Sequence, residues 1–211
     1  MLTLLEKLKT NRSLLPPVTD REALAYEQHF QLLQAWNDRM NLVSRKSIDK
    51  AFAAHYADSI QISDFASSHT EDLPIYDLGT GAGFPGIIFG IRYPEKSIGL
   101  FEKSLKKQTF LSAVVSSLSL TNVSLLGAFP EKKMKGFFFA RAVHPPEELF
   151  RFFLERTVAG SRFVLNVGGD AVVPQVPQNI FLIEERAYEL PEGAGRRRAL
   201  VFSVTGTKNF I

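Results

Sequence analysis

The sequence has no cysteine, a single tryptophan and three methionines among its 211 residues. Without cysteine the chain can form no disulfide, no thiolate nucleophile and no cysteine-ligated zinc site. No stretch approaches ~18 consecutive apolar residues, which predicts that the chain does not span a membrane. Its first ten residues, MLTLLEKLKT, mix charges with apolar residues and lack the core of a signal peptide. These absences are those expected of a cytoplasmic protein.

Net charge is also small, at +3, and a composition of 45% hydrophobic and 22% charged residues is that of a globular protein. Such a charge is compatible with a nucleic-acid partner without requiring one. The length suits one α/β domain with a helical extension. No metal site is expected, because the histidines do not have the spacing of metal ligands. They are His29, His55, His69 and His144.

The most informative stretch runs from Ile75 to Gly86 and reads IYDLGTGAGFPG. A short apolar run, alternate glycines and a second apolar run predict a strand, a tight loop and a helix. Alternate glycines allow positive φ angles and a close approach of the backbone to a ligand. Asp77, at the carboxyl end of the strand, is expected to point into the crevice where α/β folds bind ligands.

Two classes of ligand fit this loop. Gly81, Gly83 and Gly86 satisfy G-x-G-x-x-G, the pattern of dinucleotide-binding oxidoreductases that use NAD(P). Pro85, however, removes one N–H from the helix start that would bind a diphosphate, and Asp77 would repel phosphate. A cationic ligand suits both residues better. S-adenosylmethionine carries an ammonium and a sulfonium, and D-x-G-x-G-x-G after a first strand is typical of class I methyltransferases.

The rest of the chain predicts a helical extension over residues 1–70, packed on an α/β core over residues 71–211. Helical spacing of apolar residues indicates helices over 2–9, from Thr19 to about Arg39, and from about Ile48 to Phe65. Ser44 or Ser47 is predicted to cap the last of these. Apolar runs predict further parallel strands at 97–101, 122–126, 136–140 and 162–167, and residues 179–190 and 197–205 predict a final antiparallel pair.

Three blocks, in this order and spacing, carry a family resemblance. They are WNDRMNLVS from Trp36, HYADS from His55 and DLGTGAGFPGI from Asp77. Together they resemble the bacterial ribosomal RNA small subunit methyltransferase G family, also called glucose-inhibited division protein B, from about Trp36 to the C-terminus. The resemblance implies a Rossmann-like class I methyltransferase fold. It also implies S-adenosylmethionine as cofactor and N7 of a guanine in 16S ribosomal RNA as methyl acceptor.

The resemblance also indicates the site residues. Glu102, after the second predicted strand, is expected to accept hydrogen bonds from the cofactor's ribose hydroxyls. The predicted cofactor contacts are Asp77, Gly79, Thr80, Gly81, Gly83, Phe84, Pro85, Glu102, Lys103, Ser104, Phe129, Pro130, Glu131 and Arg141. Arg141, His55 and Asp58 are predicted to act in catalysis. Because N7 of guanine has no proton, its attack needs no general base, and a carboxylate such as Asp58 or Glu131 would stabilise the positive charge that develops.

Basic clusters predict contacts with RNA phosphates at Lys106, Lys107, Arg196, Arg197 and Arg198. Three positions depart from the family pattern. Phe129 stands where an arginine is usual, Gly136 where an aspartate is usual, and Asn166 where a lysine is usual. These departures leave a third alternative open, a methyltransferase fold that binds RNA or ribosomes without catalysis.

Overall fold

The computed structural model describes residues 2–44, 48, 50–141 and 145–205. Its α-helices are α1 (Leu4–Thr10), α2 (Asp20–Met40), α3 (Asp58–Ser67), α4 (Gly86–Arg92), α5 (Leu105–Ser117) and α6 (Pro146–Arg156). A 3-10 helix covers Arg12–Leu14 and a π-helix covers Phe52–Ala57. The strands are β1 (Ile75–Leu78), β2 (Ile98–Phe101), β3 (Val123–Gly127), β4 (Phe137–Ala140), β5 (Arg162–Gly168), β6 (Ile180–Leu190) and β7 (Gly195–Val204).

All seven strands form one sheet, in the order β3-β2-β1-β4-β5-β7-β6. Strands β1 to β5 are parallel, whereas β7 runs antiparallel to its neighbours β5 and β6. Every residue of β2 and β4 is buried, as expected of parallel strands covered on both faces. The strand order reverses between β1 and β4, and the crevice beyond their carboxyl ends is where folds of this kind bind ligands. The predicted mostly parallel sheet with an antiparallel C-terminal strand is confirmed.

The two faces of the sheet bury different residues, because side chains alternate along each strand. One core cluster joins the N-terminal helices, α4 and α5 to residues such as Ile75, Leu100 and Phe139. The other is rich in phenylalanine and packs α6 against Phe138 and Phe163. Both clusters surround the strands that lead into the crevice.

The N-terminal helices start where their side chains cap them. Thr3 and Thr19 each accept a hydrogen bond from the backbone of a glutamate three residues on, and that glutamate bonds back to the threonine N–H. Helix α2 ends at Met40, because its C-terminal cap Asn41 adopts a left-handed conformation. The division into units 1–70 and 71–211 stays a prediction.

The predicted third helix, from Ile48 to Phe65, differs from a regular α-helix. Over Phe52–Ala57 it is a π-helix, which continues as α3 to Ser67. π-helical turns are rare and occur mainly at functional sites. Ser47, a predicted cap, lies outside the described residues. Within the described residues no helix has both the length and the apolar character needed to cross a membrane.

Candidate active site

The glycine loop follows β1 directly and turns sharply at its three alternate glycines. Gly79, Gly81 and Gly83 have φ angles of +67°, +62° and +92°. The carbonyl of Thr80 accepts hydrogen bonds from the N–H groups of Gly83 and Phe84, at 2.9 and 3.0 Å. The Thr80 N–H donates to the Phe101 carbonyl at the end of β2. The loop therefore has its backbone, rather than side chains, at the carboxyl edge of the sheet.

Asp77 lies beneath this loop and not in the open crevice where the sequence placed it. It is 1% exposed, and its Oδ2 accepts a 2.9 Å hydrogen bond from the Gly86 N–H at the start of α4. Burial raises the pKa of Asp77 from its ordinary value of 3.8 to about 6. Asp77 thus stabilises the start of α4. A direct contact of Asp77 with a cofactor stays a prediction.

Glu102 faces the loop from the end of β2. It is 7% exposed, and its two carboxylate oxygens accept from the N–H groups of Gly81, at 3.1 Å, and Ser104, at 2.8 Å. Each carboxylate oxygen has two lone pairs, so both retain capacity for a ligand hydroxyl. Lys103 is exposed and Ser104 half-buried beside it. This arrangement suits a bound ribose.

The residues after β3 form the far side of this edge. Phe129 is half-buried; its ring meets Phe152 edge-on at 5.0 Å and Phe101 in a tilted arrangement at 4.8 Å between centroids. Pro130 is half-buried and Glu131 exposed. Phe129 therefore belongs partly to the phenylalanine core, and its stacking on an adenine stays a prediction.

Arg141 and Asp58 form an ion pair at the carboxyl end of β4. The Nη1 group of Arg141 donates to Asp58 Oδ2 at 3.1 Å and to the Ala54 carbonyl at 3.0 Å. Its Nη2 group lies 3.3 Å from His55 Nδ1, and since arginine is only a donor, Nδ1 accepts. Ala54 and His55 belong to the π-helix. The structure thus brings together the three residues predicted to act in catalysis.

Two further residues complete this cluster from the other side. Asn166 of β5 donates its amide to both carboxylate oxygens of Asp58, at 2.9 and 2.8 Å. Tyr188 of β6 donates its hydroxyl to Asp58 Oδ1 at 2.8 Å. Asp58 is 4% exposed and occupied by three donor side chains. We call Asp58, Arg141, Asn166 and Tyr188 the Asp58 cluster.

Tyr188 had no signal in the sequence, because it lies 130 residues from Asp58 in an unremarkable strand. In the sequence, Asn166 stands out only as a departure from the family pattern. Burial, together with the charge of Asp58, raises the pKa of Tyr188 well above its ordinary value of 10. The Tyr188 hydroxyl therefore keeps its proton and acts as a donor at neutral pH.

Two histidines, His29 buried and His55 half-buried, flank the loop residue Phe84. His55 stacks on the Phe84 ring at 5.0 Å, and His29 meets the same ring edge-on at 5.2 Å. Burial lowers the pKa of both histidines from 6.5 to about 4, helped at His55 by the charge of Arg141. Both side chains are therefore neutral at pH 7. The charges of Arg141 and Asp58 balance each other, so the two histidines and this ion pair together carry no net charge. Such a site tolerates a cationic ligand.

The predicted RNA contacts are more scattered than the sequence suggested. Lys106 is exposed and Lys107 half-buried in the first turn of α5. Arg197 lies opposite Tyr188 in the sheet, so these two side chains share one face. Arg196 and Arg198 lie on the other face, because side chains alternate along a strand. Arg198 donates from Nε to Glu185 Oε1 at 2.6 Å and from Nη1 to the Ala171 carbonyl. The three arginines therefore do not form one basic surface, and their contact with RNA stays a prediction.

Gly136 has no part in the crevice. It precedes β4, at the end of the sheet opposite the glycine loop, and a Cβ atom there would lie 2.7 Å from both the Pro74 carbonyl oxygen and the Tyr76 ring. The absence of an aspartate at this position is thus explained by packing. His144 lies outside the described residues. Among the residues the structure describes, no cluster of His, Asp or Glu could bind a metal ion.

We expect acid pH to destabilise the protein through His29. Its pKa is lower when folded, about 4, than its ordinary 6.5. Below pH 6.5 the unfolded chain therefore binds a proton that the folded chain refuses, and stability is lost as pH falls towards 4. Asp77, whose pKa is raised to about 6, has the opposite effect over the same window. Between about pH 7 and about pH 5, we expect the free energy of unfolding to fall by about 2 kcal/mol less in His29→Gln than in the wild type. Urea unfolding at the two pH values measures this difference. Parallel losses would contradict a buried neutral His29.

Comparisons with known proteins agree with this geometry. A family model described as rRNA small subunit methyltransferase G matches residues 23–184. A protein of that name from Erythrobacter litoralis is 34% identical over 161 residues, covering 72% of this chain and 77% of the relative. One from Staphylococcus saprophyticus is 29% identical over 198 residues, covering 87% and 82%. The solved structure of a putative O-methyltransferase from Klebsiella pneumoniae has a TM-score of 0.57 at 13% identity, covering 94% of this chain and 95% of that one.

The last of these similarities concerns the fold alone, and it confirms the predicted Rossmann-like class I methyltransferase fold. The family match covers most of the chain, including the glycine loop, Glu102 and the Asp58 cluster apart from Tyr188. The predicted family is therefore confirmed, and the chain belongs to the rRNA small subunit methyltransferase G family.

Proposed function

We propose that the protein transfers a methyl group from S-adenosylmethionine to N7 of a guanine in 16S ribosomal RNA. The observation that carries this proposal is the D-x-G-x-G-x-G loop at the point where the strand order reverses, faced by Glu102, in a chain of this family. Because the proposed substrate is ribosomal RNA, we infer a cytoplasmic location, with the RNA or the small ribosomal subunit as the partner.

The residues present fit the proposed cofactor. Glu102 has lone pairs left for two ribose hydroxyls, and the positive-φ glycines leave no side chain between the loop backbone and a ligand. The neutral state of His55 and the pairing of Arg141 with Asp58 avoid an unpaired cation beside a sulfonium. Cofactor contacts are assigned to the loop residues Gly79, Thr80, Gly81, Gly83, Phe84 and Pro85, to Asp77 below them, and to Glu102, Lys103, Ser104, Phe129, Pro130, Glu131 and Arg141.

When bound, S-adenosylmethionine supplies a methyl group already activated by its sulfonium. The chain therefore has to align two reactants, and alignment alone can account for a large part of the rate. Guanine N7 attacks with its lone pair, so no residue has to remove a proton. This agrees with a site in which Asp58 is already occupied by donors.

Arg141 is assigned a direct contact with substrate. Its side chain is 16% exposed, and it is oriented by Asp58, the Ala54 carbonyl and His55. An arginine so fixed can bind a carboxylate, such as that of the methionine moiety, or a phosphate of the target nucleotide. Asp58, buried beside it, orients Arg141 through their ion pair, and its stabilisation of charge on the purine stays a prediction. Lys106, Lys107 and Arg196 are exposed or half-exposed cations that fit RNA phosphates.

The two alternatives weaken to different degrees. A nicotinamide-dependent reaction loses its support because the chain belongs to a methyltransferase family. A non-catalytic RNA-binding role loses part of its support, because two of the departures from the family pattern have structural explanations. Gly136 lies away from the crevice, and Asn166 bonds to Asp58. The test below separates it from the proposed enzyme.

The proposal is tested by mapping N7-methylguanine on 16S RNA from a strain that lacks this protein. We expect one guanine to lose its methyl group, and to regain it when the RNA or small subunits are incubated with purified protein and tritiated S-adenosylmethionine. Glu102→Ala is the control, because it removes the ribose acceptor and should raise KM for S-adenosylmethionine at least tenfold. Unchanged methylation in the deletion strain, with no tritium transfer in vitro, would leave only the non-catalytic role.

A further inference from the structure

His29 is a buried histidine in α2 that makes two hydrogen bonds far from its own helix. It is 0% exposed, with Nε2 at 3.1 Å from the Ala82 carbonyl oxygen and Nδ1 at 2.6 Å from the Tyr56 hydroxyl. A carbonyl can only accept, so Nε2 carries the proton. In a neutral imidazole Nδ1 must then accept from Tyr56. The two bonds thus select one tautomer and one ring orientation.

The Ala82 carbonyl shares a peptide plane with the Gly83 N–H, which points the opposite way. That N–H donates to the Thr80 carbonyl at 2.9 Å. His29 therefore fixes one end of the peptide and Thr80 the other. The peptide lies between Gly81 and Gly83, whose positive φ angles would otherwise permit several orientations.

The rest of the environment of His29 is aromatic. Aromatic rings of Phe84, Tyr56 and Phe110 surround the imidazole, at 5.2, 5.7 and 6.0 Å between centroids. His29 belongs to α2, 53 residues before Ala82, whereas Ala82 belongs to the glycine loop that follows β1. The N-terminal helices thereby contact the loop through a specific polar bond in addition to apolar packing.

We propose that His29 is a positioning residue that holds the Ala82–Gly83 peptide in the orientation needed to bind S-adenosylmethionine. The inference rests on the proposed function in that the glycine loop is taken to bind this cofactor. A loop already oriented loses less conformational freedom on binding, so its affinity is higher. His29 itself touches neither cofactor nor RNA.

The test compares His29→Phe with His29→Gln and with Leu33→Val. Phenylalanine keeps an aromatic ring but leaves the Ala82 carbonyl unpaired. Glutamine can donate an amide N–H to it. Leu33 is buried one turn further along α2, and its apolar side chain cannot bond to the Ala82 carbonyl, so Leu33→Val reports general loosening of the helix.

We expect His29→Phe to raise Kd and KM for S-adenosylmethionine about tenfold, with kcat at saturating cofactor changed less than about twofold. The rise for His29→Gln should be about threefold or less, and Leu33→Val should bind as the wild type does. Isothermal titration calorimetry and initial rates measure these quantities. A wild-type Kd in His29→Phe, or an equal rise in Leu33→Val, overturns the proposal.

A spectroscopic result tests the same bond without a substitution. Long-range proton–nitrogen correlation spectra of the ¹⁵N-labelled wild type should show His29 protonated at Nε2. Protonation at Nδ1 contradicts the bond to Ala82 and overturns the proposal. If the wild type binds S-adenosylmethionine but methylates no ribosomal RNA, the proposed function fails and the role of His29 stands. If it binds no S-adenosylmethionine, both fail.

Discussion

Asp58→Asn is expected to lower kcat/KM for methyl transfer about a hundredfold and the free energy of unfolding by about 3–5 kcal/mol. The amide keeps one acceptor oxygen, so its N–H₂ group would face the Asn166 donor and that of either Arg141 or Tyr188, all of which now bond to the carboxylate. Arg141 would lose its counter-charge while mostly buried. A guanidinium displaced by about 1 Å no longer aligns the reactants. Initial rates and urea unfolding measure the two effects.

Asp72→Asn is the matched control, because it removes one carboxylate from an exposed position just before β1, at the opposite end of the sheet. It should change neither quantity beyond about 0.5 kcal/mol. Exchanging the residues, as Asp58→Asn with Asn166→Asp, restores one negative charge to the cluster without returning it to Arg141. We expect this double variant to regain stability more than activity. Full activity in Asp58→Asn would show that Asp58 has no part in orienting Arg141.

The second large effect is expected from Gly86→Ala. A Cβ atom at Gly86 would overlap Leu100 Cδ2 and lie 2.7 Å from Asp77 Oδ2. Both neighbours belong to buried strands and cannot move aside, so the start of α4 must shift. We expect the free energy of unfolding to fall by about 2–3 kcal/mol. Because the glycine loop leads into this helix, KM for S-adenosylmethionine should also rise at least tenfold.

Gly168→Ala separates this steric effect from a general cost of replacing glycine. No atom lies within 4 Å of a Cβ at Gly168, and its φ is not positive. Its free energy of unfolding should stay within about 0.5 kcal/mol of the wild type. Denaturant unfolding of both variants provides the comparison. Equal stability of the two alanine variants would contradict the packing of Gly86 against β1 and β2.

The two experiments concern different parts of one site. The Asp58 cluster orients Arg141 through charge and hydrogen bonds, whereas Gly86 allows the helix to approach the sheet closely enough for the Asp77 bond. His29 adds a third support at Ala82. Each acts through backbone or side chains that surround the cofactor, in keeping with a reaction that depends on alignment.

Local patterns in the sequence determined much of the fold. Alternation of apolar runs with helical spacing predicted the order of strands and helices, because burial on a helix and on a strand has different periods. The predicted start of α2 near Thr19 is confirmed, since Thr19 and Glu22 bond to each other's backbone there. The glycine loop predicted the ligand crevice, because glycine has no Cβ atom and readily adopts the positive φ angles found there.

Contacts between distant residues were decided only by the tertiary structure. Asp77 turned inward because Gly86 offers it an N–H, and Arg196, Arg197 and Arg198 separated because strand side chains alternate. Nothing near Tyr188 in the chain indicates that it meets Asp58, from which it is 130 residues away. The sequence by itself determined the family, the fold class and the glycine loop, whose patterns are short-range. The folded sheet alone decided which side chains support Arg141 and the loop, because those bonds join residues that only strand order brings together.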